Sequence, residues 1–224
     1  MIGIIIQARL GSTRLPGKVL MPIGRKTLIE HIMYRLSFLE EEAQAVIATS
    51  TKEKDDPLAQ FCAEKGYECF RGSEENVLER YYLCAEKYGF TDIVRLTADN
   101  PFVDVEEIDH LIRFYREEQA DYAKSFEALP YGVGAEIFSF RALERDYGES
   151  SLPHHFEHVN EYILENPQIF KTVNLQVAEE KNKPEVRLTV DTKEDYARAC
   201  YIVEHCKEEY VTTQEAIRLC SQFA

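Results

Sequence analysis

The chain has 224 residues, 45% of them hydrophobic and 29% charged, which is ordinary globular usage and excludes a disordered tail or a fibre. Its formal charge of −14 argues against a general partner among nucleic acids or anionic membranes. The charge is uneven: the first 29 residues hold Arg9, Arg14, Lys18, Arg25 and Lys26 and no acid, which points to a local anion site.

In chain order, residues 2–7 form an apolar run suited to a strand covered on both faces, and 27–38 set Leu28, Ile32 and Leu36 near helical spacing. A second buried strand is expected at 45–49. Asp55, Asp56 and Pro57 mark a helix start, with aspartate capping the first amides; Gly66 ends that helix and a strand follows at 67–70. Asn76 with Glu79 opens a helix to Tyr88 that Gly89 stops. Residues 92–97 form the next strand, and Asp104 with Glu107 begins a helix to about Glu118. This alternation predicts a three-layer α/β/α architecture on a mostly parallel sheet, Rossmann-like in plan.

After Asp121 the rhythm changes. Strands at 121–126 and 136–140 flank a loop containing Pro130, Gly132 and Gly134. Helices at 141–146 and 156–164, strands at 170–177 and 185–190, and helices at 193–206 and 213–223 complete the chain. No composition break resembles a linker, so 1–224 reads as a single domain with a small substrate or dimerisation lobe around 121–177. No stretch approaches the ~20 apolar residues of a membrane span, and residues 2–6 are shorter than the ~7–15-residue core of a signal peptide. A cytoplasmic protein with no membrane partner is expected. The six cysteines form no CxxC or metal-ligand spacing and read as reduced, packed thiols.

The most informative segment, residues 7–18, follows the first strand, at the sheet edge where open α/β folds bind ligands. Gly11 and Gly17 permit a tight path on which backbone amides converge, Ser12 and Thr13 add hydroxyls, Arg14 offers a bidentate fork and Lys18 a point charge. The pattern is neither a Walker loop nor GxGxxG. On chemistry alone it is a phosphate cradle or a solvated basic loop. Further on, residues 95–99 (RLTAD) and 187–191 (RLTVD) share a form in which a strand delivers a carboxylate just beyond its end. If both strands run parallel in one sheet, Asp99 and Asp191 meet on the rim of the first loop, where two hard oxygens beside a triphosphate suit Mg²⁺. Turn or helix-cap duty is the alternative.

The string IIQARLGSTRLPGKVL resembles the amino-terminal signature of the sugar-acid cytidylyltransferases, the acylneuraminate and CMP-KDO synthetase-like enzymes, and within them the branch of spore-coat polysaccharide biosynthesis protein F. The resemblance recurs in ATSTKEKDDP, FRGSEENVLERYY, RLTADNPFVD and RLTVDTKEDY, and so spans nearly the whole chain. It implies a nucleotide-diphospho-sugar transferase fold and transfer of CMP from CTP to a sugar or sugar acid, with release of pyrophosphate. It further implies Mg²⁺ on Asp99 and Asp191, triphosphate contacts from Arg14 and Lys18, and a homodimer for surface or spore polysaccharide synthesis. Another nucleotidyltransferase or glycosyltransferase of the same fold, or a non-catalytic nucleotide-binding domain, stands as the alternative.

By the same resemblance Ala8, Arg9, Gly11, Ser12 and Thr13 lie along the nucleotide, and Arg71, Ser73 and Arg80 fall in the region beside base and ribose. Solvated arginines, for Arg71 and Arg80, and a helix-cap serine, for Ser73, are the competing readings. On the acceptor side, residues 131–136 resemble the family's P-x-G-x-x-x-E stretch. Glu136 either orients a sugar hydroxyl or begins a strand, and His158, in an EHV segment, either contacts substrate or braces its loop. His154, His155 and His158 lack a persuasive third partner for zinc. Asp195 reads as a capping residue for the final helices.

Overall fold

The computed structural model describes residues 1–223. The chain runs through β1 (Ile2–Gln7), β2 (Pro22–Ile23), β3 (Lys26–Thr27), α1 (Leu28–Leu36), β4 (Ala43–Ser50), α2 (Asp56–Lys65), β5 (Cys69–Gly72) and α3 (Val77–Tyr88). It continues with β6 (Asp92–Thr97), α4 (Val105–Glu117), β7 (Tyr122–Lys124), β8 (Glu136–Ser139), α5 (Phe140–Glu149), α6 (Pro153–Glu157), α7 (Glu161–Glu165), β9 (Thr172–Asn174), α8 (Lys193–His205) and α9 (Thr213–Cys220). Seven strands form one sheet in the order β5-β4-β1-β6-β8-β7-β9. The pairs β4–β5, β1–β4 and β1–β6 are parallel, whereas β8 is antiparallel to both neighbours. Segment 121–177 therefore feeds three strands into the main sheet.

Period-two alternation divides the apolar side chains between two cores. Ile2, Ile4 and Ile6 of β1 pack with Leu28, Ile32, Leu58, Ile108 and Ile202 on one face. Ile5 joins Leu78, Tyr81, Phe138, Leu143 and Ile163 on the other. The sheet thus lies between helices α1, α2, α4, α8 and α9 and helices α3, α5 and α7, which gives the expected three layers. Removing a side chain such as Ile4 or Ile5 would cost about 2–5 kcal/mol.

Most boundaries follow local chemistry. Thr27 accepts from the Glu30 amide and Glu30 bonds back, a complete capping box for α1, and Gly66 and Gly89 close α2 and α3 in the left-handed conformation. Three expectations change. Residues 156–164 form no continuous helix, because the chain opens at His158 (φ −117°, ψ 101°) between α6 and α7. Residues 185–190 form no sheet strand; their ladder is one isolated parallel bridge between Tyr131 and Arg187, with Tyr131 donating to Val186 and Leu188 donating to Tyr131. Asp55 does not cap α2, since its carboxylate is committed elsewhere.

Candidate active site

The loop after β1 leaves the sheet at its centre. The Ala8 amide donates to Ala48 of β4 at 3.1 Å, and the Ala98 amide, just after β6, donates to Gln7 at 2.9 Å. The chain therefore exits between the carboxyl ends of two parallel neighbours, where open α/β sheets form their crevice. It turns back at Gly17, whose amide donates to Leu10 at 3.0 Å and whose φ of 72° suits glycine. Gly11 is not in that region, and a side chain there would meet chiefly the flexible end of Lys54. Asp55, fully buried, accepts from the Leu10 amide at 2.7 Å and from the Ser50 hydroxyl, pinning the loop to the end of β4.

Lys18 gathers the site. Its Nζ donates to the Val190 carbonyl at 2.7 Å and to Asp191 Oδ1 at 2.9 Å, and lies 3.6 Å from Asp99 Oδ2. Arg14 Nη2 reaches Asp191 Oδ1 at 3.1 Å, and Arg187 holds the other oxygen of Asp191. Asp99 and Asp191 thus share one ammonium although 185–190 is not a sheet strand. The Val190 amide donates to the Asp99 carbonyl at 2.8 Å, which delivers Asp191 beside Asp99 by a loop-to-loop bond. Gly132 permits this packing: its φ is 100°, and a Cβ would stand 2.3 Å from Thr189. Asp195 caps α8: it accepts from the Thr192 hydroxyl and from the amides of Asp191 and Thr192. Burial alone would raise its carboxyl, but those bonds hold it below the ordinary range.

The carboxylates fit a hard divalent cation. Asp99 Oδ1 is buried without a hydrogen-bond partner, an arrangement that costs free energy unless a donor or cation meets it. Asp191 brings one oxygen, Oδ1, to the same ammonium, and water and phosphate suit the remaining positions of a Mg²⁺ shell.

Around this point lies a crevice of about 810 Å³. Of the residues expected to bind, Ala8, Arg9, Gly11, Ser12, Thr13, Arg14, Lys18, Asp99, Asp191 and His158 line it. Arg71, Ser73, Arg80 and Glu136 are not in its wall. Arg71 donates to the Ser50 and Lys52 carbonyls and pairs with Asp56; Ser73 accepts from the Asn76 amide ahead of α3. Arg80 is buried on the Ser73 carbonyl, and burial holds its guanidinium below its ordinary value. Glu136 begins β8, buried against Arg95 and Tyr122. Arg95, Thr97, Glu74, Glu75 and Glu157 also line the crevice, and sequence reasoning passed over them as binding candidates.

His154 and His155 both face Glu165, at 2.8 and 2.9 Å, a neighbour that spacing along the chain did not reveal. The Leu152 amide also reaches His155 Nδ1, at 3.4 Å, so both ring nitrogens of His155 have partners within the protein. This pairing ties α6 to α7 and fixes the segment that carries His158 to the crevice.

The sequence model of the cytidylyltransferase family matches residues 3–219. The spore coat polysaccharide biosynthesis protein SpsF of Bacillus subtilis is 41% identical over 205 residues, 86% of this chain and 82% of that protein. A cytidylyltransferase structure from Leptospira borgpetersenii serovar Hardjo-bovis superposes with a TM-score of 0.90 at 31% identity, covering 99% of this chain and 94% of that one. A CMP:2-keto-3-deoxy-manno-octonic acid synthetase complexed with CTP shares the fold, with a TM-score of 0.68 at 19% identity over 91% of this chain and 98% of the other.

Proposed function

The chain belongs to the cytidylyltransferase family, and we propose that it transfers CMP from CTP to a hydroxyl of a sugar acid, releasing pyrophosphate, for surface polysaccharide synthesis. The observation that carries this reading is the junction at Lys18, where the basic loop after β1 meets Asp99 and Asp191 in one crevice. Loop amides, Arg14 and Lys18 suit the β- and γ-phosphates, whose charge grows as pyrophosphate departs. The acceptor oxygen forms its bond to the α-phosphorus while the bond from that phosphorus to the bridging oxygen breaks; the hydroxyl proton passes to solvent. Mg²⁺ held by Asp99 and Asp191 would supply charge neutralisation at the α-phosphate. Lys18 keeps those two carboxylates at one place, and Asp55 keeps the loop aimed at them. The residues supply positioning and electrostatics, the terms that dominate phosphoryl-group chemistry.

In the same reading the enzyme works in the cytoplasm; no helix among the described residues is long and apolar enough to cross a membrane. It acts as a homodimer, with segment 121–177 as acceptor and contact lobe. Exposed Phe126, Tyr131 and Leu152 support that surface. The test incubates the protein with Mg²⁺, each of the four ribonucleoside triphosphates and a panel of sugar acids, with mass detection of nucleotide adducts. A CMP adduct and pyrophosphate from CTP alone support the reading. Binding of CTP without release for any acceptor, or release with another triphosphate, overturns it.

A further inference from the structure

Arginine inside a strand is costly unless something receives it, and Arg95 is received with unusual care. It lies in β6 opposite Ile5 of β1 and Glu136 of β8. Its Nη1 donates to Glu136, while the other oxygen of that carboxylate accepts from the Tyr122 hydroxyl at 2.5 Å. Glu136 is 5% exposed and Tyr122 is fully buried, so this support is built into the sheet. The Tyr81 ring lies 6.0 Å from the guanidinium carbon. Burial alone would depress the guanidinium, but Glu136 beside it carries it above its ordinary value. Even so, Arg95 keeps 21% of its side chain exposed and lines the crevice. Its hydrogen bonding within the described residues is confined to Nη1, and Nε has no partner.

Such an arrangement is a preorganised fork: Nη1 is clamped from behind, Nε is buried, and the exposed part of the side chain faces the crevice. The anions of a nucleotide already have Arg9, Arg14 and Lys18. Arg95 stands on β6, across β1 from β4 and β5 in the sheet, and lines the same crevice as Glu74 and Glu75. We infer that Arg95 is a specificity-determining residue that pairs with the carboxylate of the acceptor sugar acid, and that Glu136 and Tyr122 act through it as positioning residues. This rests on the proposed sugar-acid reaction and names the group that selects its acceptor. It also gives Glu136 a role one layer behind the ligand.

The test measures steady-state pyrophosphate release from CTP with 3-deoxy-manno-octulosonate and with N-acetylneuraminate, and with the carboxamide analogue of whichever is used. Arg95→Gln should raise acceptor KM on the order of 10- to 100-fold, the worth of a charge-assisted hydrogen bond, with CTP KM changed less than about 3-fold. The carboxamide should lose a similar factor with the unmodified enzyme and nothing further in Arg95→Gln, the signature of one shared interaction. Glu136→Gln and Tyr122→Phe should raise acceptor KM with kcat largely kept, and Arg95→Lys, should Arg95→Gln fail to fold, should recover only part of the acceptor affinity. An unchanged acceptor KM in folded Arg95→Gln, or an equal rise in CTP KM, overturns the inference and leaves the reaction standing. No release by the unmodified enzyme with any carboxylate acceptor overturns the reaction, and the inference with it.

Discussion

The backbone amide of Val190 donates to the carbonyl of Asp99 at 2.8 Å, and this bond sets two carboxylates from distant parts of the chain around one lysine. Neither acid depends on the other's side chain for its place. The charge at the site can therefore be altered one residue at a time without dismantling the fold.

Asp99→Asn tests the acid whose Oδ1 is buried without a partner. It should lower kcat for Mg²⁺-dependent pyrophosphate release by roughly 100-fold or more, as expected for loss of a group that stabilises transition-state charge. The melting temperature should stay within about 2 °C, because no structural hydrogen bond is lost. Turnover that is unchanged would remove the metal-holding role.

Lys18 is 8% exposed and bound by oxygens at 2.7 and 2.9 Å, with a third at 3.6 Å. Lys18→Met should reduce kcat by on the order of 100- to 1000-fold. Lys18→Arg should not restore it, since a planar fork cannot occupy the position of a compact ammonium. Full rescue by arginine, measured in the same assay, would contradict this geometry.

Asp55 should act on nucleotide affinity without touching nucleotide. Asp55→Ala leaves the Leu10 amide and the Ser50 hydroxyl without their acceptor, at a cost of about 2–4 kcal/mol in urea unfolding. The loosened loop should raise CTP KM by on the order of 10-fold, through misplacement of the phosphate donors. A stability loss with CTP KM unchanged would show that the loop holds its shape unaided.

Asp146 gives stability a pH dependence. Burial pushes its carboxyl up to about 7, against the opposing bond from the Ser150 hydroxyl. The folded value lies above the unfolded one near 3.9, so the folded state keeps a proton that the unfolded chain releases. This contribution is fully present below about pH 4 and is lost as pH rises through about 7. Asp146→Asn should flatten the profile and stabilise the protein above pH 7 by up to about 4 kcal/mol. Urea titrations at pH 5 and pH 8 measure it; equal pH slopes in both proteins would refute the assignment.

The sheet centre was legible because its residues answer to a local rule. The run 2–7 is apolar on both sides, and 92–97 alternates up to an aspartate, so β1, β6 and the position of Asp99 follow from sequence. Asp191 was legible as a carboxylate but not in its route. Residues 187–190 alternate like a strand, yet their partners are Tyr131 and Asp99, loop residues that no periodicity can announce. Asp55 was misread for a related reason. Its place before Asp56 and Pro57 spells a helix cap, but buried donors at Leu10 and Ser50 compete for its oxygens and win. Arg95 passed unnoticed because an arginine within a strand gives no sign of whether a carboxylate stands opposite. Glu136 does so only through the register of β8.

Diffraction from crystals soaked with CTP and Mn²⁺ tests the central claim most directly, because manganese gives an anomalous signal where magnesium does not. The account predicts one anomalous peak within bonding distance of both Asp99 and Asp191, with the triphosphate lying along residues 8–18 and Lys18 turned towards it. A peak elsewhere, or a nucleotide seated away from that loop, would contradict it.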